Sequence, residues 1–245
     1  MGESEPDLVR ARYARREDQC AHLKYDALLP HSLCFRQEKE RAFVRLLRRL
    51  ERDPGAVESL RVVEIGCGSG ANLLDFLRLG FRPENLLGIE LLEERAREAR
   101  RILPEKTAVI TGDAAELVLE DESFDICFQS TVFTSLLDQG FQEKLASRMW
   151  QLVKPGGGVL WYDFIYNNPG NPDVRGVPVG RVRQLFPHGR LTFRRITLAP
   201  PLARRVAKIH PGLYTCVNRV PFLRTHVLAW IGKTAFPQAE TGSDA

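Results

Sequence analysis

Val63-Glu64-Ile65-Gly66-Cys67-Gly68-Ser69-Gly70 decides the fold of this chain. A short apolar run, Leu60 to Ile65, enters three glycines, and a helical stretch, Ala71 to Leu79, follows at once. That order of strand, glycine loop and helix is a nucleotide-binding turn. Gly66, Gly68 and Gly70 admit backbone angles closed to residues with a Cβ and let a ligand lie against the main chain. The N–H groups and dipole at the helix start favour an anionic group there. Gly66, Gly68 and Ala71 also satisfy G-x-G-x-x-A, so the octet alone leaves an NAD or FAD site open. Glu64 places a carboxylate at the end of the strand, where an ammonium group would meet it.

Four further segments follow in order. Leu86 to Glu90 reads as a second buried strand ending in an acid, about 20 residues past the glycines, where a carboxylate accepts hydrogen bonds from ribose hydroxyls. Thr111-Gly112-Asp113-Ala114 closes a third apolar run, Ala108 to Ile110. Ser123-Phe124-Asp125-Ile126-Cys127-Phe128 reads as a fourth strand, in which Asp125 is structural rather than ligand-binding. Leu152-Val153-Lys154-Pro155-Gly156-Gly157 reads as the turn before a fifth, Val159 to Phe164. With Glu64, this series resembles the class I S-adenosylmethionine-dependent methyltransferases. The resemblance favours S-adenosyl-L-methionine over NAD and implies a Rossmann-like three-layer α/β sandwich. Its seven-stranded, mostly parallel sheet would have the order 3-2-1-4-5-7-6, with the last strand antiparallel. It also implies that Glu64, Gly66, Cys67, Gly68, Gly70, Glu90, Leu91, Asp113, Ala114 and Gln129 bind the cofactor, Asp113 through the adenine amino group.

Composition agrees with one large α/β core: 245 residues, 44% hydrophobic. The polar opening, Met1 to Arg16, lacks a signal-peptide pattern, and no apolar run approaches the ~20 residues of a membrane span. A soluble, cytoplasmic enzyme is the expectation. Five cysteines (20, 34, 67, 127 and 216) form no C-x-x-C pair, which argues against a disulfide framework and a zinc site, and no metal is expected. Charge is unevenly divided. Between Val174 and Ala239 there is no Asp or Glu, against twelve Arg and Lys, and the rest carries 23 basic residues against 31 acidic ones. Such a stretch either meets an anion or is a solvated face complementing the acidic half.

Residues 1–55 form an extension before the core (56–237), and 238–245 a frayed tail. Asp7 to Arg16 predicts a short helix. Arg36 to Arg52 predicts a longer one, with Phe43, Leu46, Leu47 and Leu50 in one apolar stripe. Its arginines suggest a membrane-surface helix, but packing on the sheet is the commoner fate of such a stripe. In the family resembled, a segment before the glycine loop commonly covers the cofactor. Tyr13, Tyr25 and His31 are the lid candidates, with Tyr25 placed against the cofactor. Further on, Leu91 to Ile102, Phe141 to Leu152 and Val179 to Phe186 read as helices. Leu191 to Leu198 and Arg224 to Ile231 read as strands, with Leu202 to Val220 helical and broken at Pro211.

In open α/β sheets the ligand lies beyond the carboxyl ends of the strands, which puts the acceptor beside strands four and five. Ser130, Tyr162, Tyr166, Asn167, Asn168, Asn171 and Arg175 are the candidate acceptor contacts. In the alternative reading each Asn caps its own turn. Asp163 and His31 are the candidates for removing an acceptor proton. The loop resembles that of a bacterial subgroup of the family associated with cell-surface glycan pathways. The resulting expectation is methyl transfer to a small-molecule or glycan-like, phosphate-bearing acceptor at oxygen. Nucleic-acid methylation through the basic stretch is the alternative. Strand four lacks the [Asp/Asn]-Pro-Pro-aromatic signature of amine-directed base methylation, and no stable nucleic-acid partner is expected. A non-catalytic S-adenosylmethionine-binding module is a third reading, which the intact glycine loop disfavours.

Overall fold

The computed structural model describes residues 4–18, 26–49, 56–168 and 170–234. Its centre is a seven-stranded sheet in the order β3-β2-β1-β4-β5-β7-β6, as the resemblance implied. β1 (Val62–Ile65), β2 (Leu86–Glu90), β3 (Ala108–Thr111), β4 (Phe124–Ser130) and β5 (Val153–Phe164) are parallel. β7 (Arg224–Gly232) runs antiparallel between β5 and β6 (Arg190–Leu198).

Alternation along the strands divides the core between the two faces, because successive side chains point to opposite sides. Val63, Cys127, Val159, Trp161 and Ala229 face α5 (Gln139–Leu152) and α6 (Val179–Leu185). Val62, Ile126, Phe128, Leu160 and Leu228 face α2 (Pro30–Arg49), α3 (Ala71–Arg78) and α4 (Glu93–Ile102). Helix α2 lies on the sheet, as its stripe predicted. Phe43 meets Phe128 edge-on at 5.3 Å and Phe76 at 5.9 Å. Leu50, the last residue of the stripe, lies outside the described residues, as does most of the expected boundary at 55.

Three elements differ from the sequence expectation. Helix α2 begins at Pro30 rather than Arg36, since proline at the first helical position loses nothing there. β5 begins at Val153, so Lys154-Pro155-Gly156-Gly157 lies within the strand rather than before it. A register shift absorbs the extra residues: Phe124 pairs with Val153 and Ile126 with Gly158. The third is α1, which runs Glu5–Asp18 and buries Val9 in the core. The predicted helix over 202–220 is two helices, α7 (Pro200–Ile209) and α8 (Pro211–Val217), divided at the expected proline.

Candidate active site

The glycine loop continues the sheet before it turns. The Gly66 and Cys67 amides both donate to the Ile89 carbonyl, at 2.8 and 3.0 Å, tying the loop to β2. Gly66 has φ +67°, and a Cβ there would stand 2.6 Å from Val132 Cγ2, so any side chain would be strained and would displace Val132. At Gly68, φ is +56° and a Cβ would find only the Arg95 guanidinium, at 3.8 Å. The main chain there faces open space, as close approach of a ligand requires.

Glu90 organises the opposite wall. Its Oε2 accepts from the Gly68 amide at 2.7 Å and its Oε1 from the Leu92 amide at 3.0 Å. A carboxylate offers about four acceptor positions, so two remain for ribose hydroxyls. Asp113 accepts from the Ala115 amide at 2.9 Å through Oδ1. Beyond β4, Thr131 holds φ +58°. Its amide donates to the Tyr162 carbonyl at 2.8 Å, and Gln129 Oε1 accepts from the Val132 amide at 3.0 Å. A left-handed threonine costs about 1–3 kcal/mol and persists only where the surroundings over-determine it.

These walls enclose a cavity of about 290 Å³ at the carboxyl ends of the parallel strands. Gly66, Cys67, Gly68, Glu90, Leu91, Asp113 and Ala114 line it, as does Ser130, which was expected at the acceptor instead. Helix α1 closes one side through Pro6, Val9 and Tyr13, and the Arg95 guanidinium lies 5.1 Å from the Tyr13 ring centroid. Glu5 docks this helix: within α1 it forms a buried 2.7 Å ion pair with Arg12, and its Oε1 also accepts from the Leu137 amide at 2.7 Å. Arg15 adds a 3.0 Å ion pair to Asp173.

Gly70, Glu64 and Gln129 lie off the cavity lining. Gly70 is the turn into α3, where a Cβ would meet Leu103 Cδ1 at 2.9 Å. Glu64 is fully buried behind the loop, and Oε1 accepts from Asn72 Nδ2 at 2.5 Å. Asn72 Oδ1 in turn accepts from Lys39 Nζ. Burial pushes the Glu64 carboxyl up and the Lys39 ammonium down, both toward their neutral forms. Glu64 Oε2 has no partner among the described residues. Tyr25 lies outside the described residues. The neighbourhood fits S-adenosylmethionine: glycines against which a chain can lie, and a carboxylate with spare acceptor positions on the cavity wall.

A second cavity, of about 430 Å³, adjoins the first. Ala71 and Asn72 line both, and Ser32, Arg36, Lys39, Asp75, Arg78 and Tyr162 complete its polar wall. Neither Lys39 nor Asn72 was singled out from the sequence. Asn72 had a positional signal, as the second residue of the helix after the glycines. Lys39 had none, because its place depends on how α2 packs.

Neither proton-acceptor candidate lines either cavity. His31 is buried on α2, edge-on to Phe35 at 5.7 Å. Asp163 is wholly buried and accepts from the Thr134 amide at 3.2 Å and the Phe164 amide at 3.0 Å, bracing the turn Phe133–Ser135. Burial pushes its carboxyl up to about 7. The folded protein therefore holds a proton that the unfolded chain releases near 3.8, and this contribution to stability is lost as pH rises from there through about 7. Asp163→Asn should flatten the fall in Tm across that range. A pH profile of Tm identical to that of the parent would show that Asp163 does not titrate in it.

The loop after β5 folds on itself. Asn167, Asn168 and Asn171 accept through Oδ1 from the amides of Gly176, Gly170 and Asp173, at 3.0, 3.1 and 3.1 Å. The Arg175 amide donates to the Thr134 carbonyl at 2.8 Å. Tyr166 is exposed and its phenol oxygen accepts from Arg195 at 3.2 Å. None of these five residues lines either of the two cavities, whereas Tyr162 lines the second and shares a 2.8 Å hydrogen bond with Thr197. Short Asn side chains satisfy nearby amides more readily than distant ones, and the loop takes that course.

Comparison with known proteins agrees with this geometry. Residues 63–161 match the family model described as a methyltransferase domain. A sterol 24-C-methyltransferase of Aspergillus fumigatus is 27% identical over 137 residues, 51% of this chain and 34% of that protein. A malonyl-[acyl-carrier protein] O-methyltransferase of Bacteroides fragilis is 47% identical over 57 residues, 23% of this chain and 11% of that protein. The chain thus covers about a third or less of the length of these curated relatives. A solved S-adenosylmethionine-dependent methyltransferase from Archaeoglobus fulgidus shares the fold, with a TM-score of 0.58 at 17% identity over 81% of this chain and 96% of that one.

Proposed function

Residues 63–161 of this chain are a class I S-adenosylmethionine-dependent methyltransferase domain, and on that premise we propose that the protein methylates a small-molecule acceptor at oxygen. The observation that carries this reading is the shared wall of the two cavities at Ala71 and Asn72. One cavity suits the cofactor, and the other has the place and size of an acceptor chamber. S-adenosylmethionine supplies an electrophilic methyl group on a sulfonium, a good leaving group. Much of the work left to the protein is alignment, which is worth about 7–11 kcal/mol in favourable cases; a hydroxyl acceptor also gives up its proton, to solvent or to a basic group of its own, whereas a carboxylate acceptor has none to lose. Glu90 and the glycine loop orient one partner. Helix α1 excludes water through Val9 and Tyr13. Arg36 and Arg78 outnumber Asp75 on the second wall, which suits an acceptor bearing a carboxylate or phosphate. The sterol relative, named for C-methylation, supports a small acceptor, and oxygen as the target has the support of the one relative named for O-methylation.

The experiment has two arms. S-adenosylhomocysteine should raise Tm through binding to the native state, whereas NAD should not. Labelled S-adenosylmethionine with a low-molecular-weight cell extract should give a labelled small product. Ser32→Phe, which fills the second cavity, should abolish that product and leave the Tm shift intact. A shift with NAD alone would overturn the cofactor, and full turnover by Ser32→Phe would overturn the acceptor chamber.

A further inference from the structure

Residues 199–223 leave β6 and return to β7 as α7, α8 and the turn Pro221–Leu223. β5 and β6 both run antiparallel to β7, so they run parallel to each other. The excursion therefore rises from the end of the sheet that carries the two cavities. It is also fastened to α2, the helix that walls the second one. Glu38 accepts from Tyr214 Oη at 2.6 Å and from Asn218 Nδ2 at 2.7 Å. Ala203, Ala207 and Tyr214 are buried there with Cys34 and Leu198.

With Ala203 and Ala207 turned inward, a helical rotation of about 100° per residue turns Arg205 and Ile209 outward together. Ile209 is 75% exposed, Leu213 beyond the α7–α8 joint 41%, and Phe222 in the following turn 74%. Lys208, next to Ile209, and Arg219, three residues before Phe222, are exposed as well. No acid occurs anywhere from Val174 to Ala239. Large apolar side chains held in water beside cations, with no carboxylate among them, are the composition of a surface that enters the headgroup layer of a bilayer.

We propose that the outer face of α7, α8 and the turn Pro221–Leu223 docks on an anionic lipid surface. Ile209, Leu213 and Phe222 enter the interface, and Arg205, Lys208 and Arg219 meet the headgroups. Docking there brings the α2 side of the second cavity toward the lipid. A nucleic acid would engage the cations but would leave the three apolar side chains in water. A second copy of the chain would have to supply an acidic apolar face.

Co-sedimentation of the full chain with vesicles tests this surface without any turnover measurement, so its outcome is separate from that of the proposed reaction. The protein should pellet with phosphatidylcholine vesicles containing phosphatidylserine, release as salt is raised, and stay in solution with phosphatidylcholine alone. Ile209→Ser, Leu213→Ser and Phe222→Ser together should reduce pelleting at least about tenfold, since each removes several buried methylene equivalents. The same variant should keep the S-adenosylhomocysteine-induced shift in Tm, which shows that it is folded. A Phe222→Trp variant supplies an independent readout, because lipids brominated near the headgroup should quench its added fluorescence. Protein that stays in solution with both vesicle types overturns the proposal. So do a triple variant that pellets like the parent, self-association that the triple variant abolishes, and an oligonucleotide that binds the parent and the triple variant alike while the vesicles do not.

Discussion

Glu90→Ala is expected to weaken S-adenosylhomocysteine binding by about 1–3 kcal/mol, roughly 5- to 150-fold in Kd. Two losses combine. The remaining acceptor positions of the carboxylate disappear from the cavity wall, and the Gly68 and Leu92 amides lose the partners that hold them at 2.7 and 3.0 Å. The second loss loosens the glycine loop itself, so the enthalpy of binding should fall with the affinity. Glu90→Gln retains an acceptor oxygen and should lie between the two. Calorimetry with all three proteins checks the order. An unchanged Kd in a folded Glu90→Ala protein would remove this residue from the site.

Arg12→Ala is expected to have the largest effect on the lid. It strands the Glu5 carboxylate in a buried position, and breaking such a pair costs about 3–5 kcal/mol when the charge stays where it is. Helix α1 has a cheaper outcome open to it. Val9 is its one buried apolar anchor among the described residues, so α1 should undock and return Glu5 to water. The expected result is protease cleavage within α1, a fall in cofactor affinity of roughly tenfold from the lost contacts, and a core that still melts cooperatively. The double variant Glu5→Gln with Arg12→Met should restore docking, because an uncharged pair of similar volume leaves no stranded charge. Limited proteolysis with and without S-adenosylhomocysteine measures this directly. Resistance and affinity equal to those of the parent in Arg12→Ala would show that the pair does not hold the lid.

The sequence alone determined the parts of this protein that rest on local physics. Three glycines between a buried run and a helix specify their loop whatever surrounds it, and the structure finds positive φ at all three. Alternation specifies which residues of each strand can face a helix, and Pro211 specifies where the helices after β6 must divide. Strand order followed from the family resemblance, since the spacing of the segments restricts the sheet without ordering it.

Only the tertiary structure decided what the polar side chains do. Asp163 at the end of β5 and Glu90 at the end of β2 look alike in sequence. Packing enclosed the first behind Thr134 and left the second on a cavity wall. Lys39 had no signal of its own. It joins Asn72 and Glu64 because α2 lies alongside α3. The asparagines after β5 could cap their own turns or reach outward, and in the folded chain the loop is closed on itself, with the Arg175 amide tied to Thr134. Backbone angles and burial periodicity depend on neighbours a few residues away, so a sequence displays them. The partner of a buried charge depends on which distant segment packs against it, and that is settled only when the chain has folded.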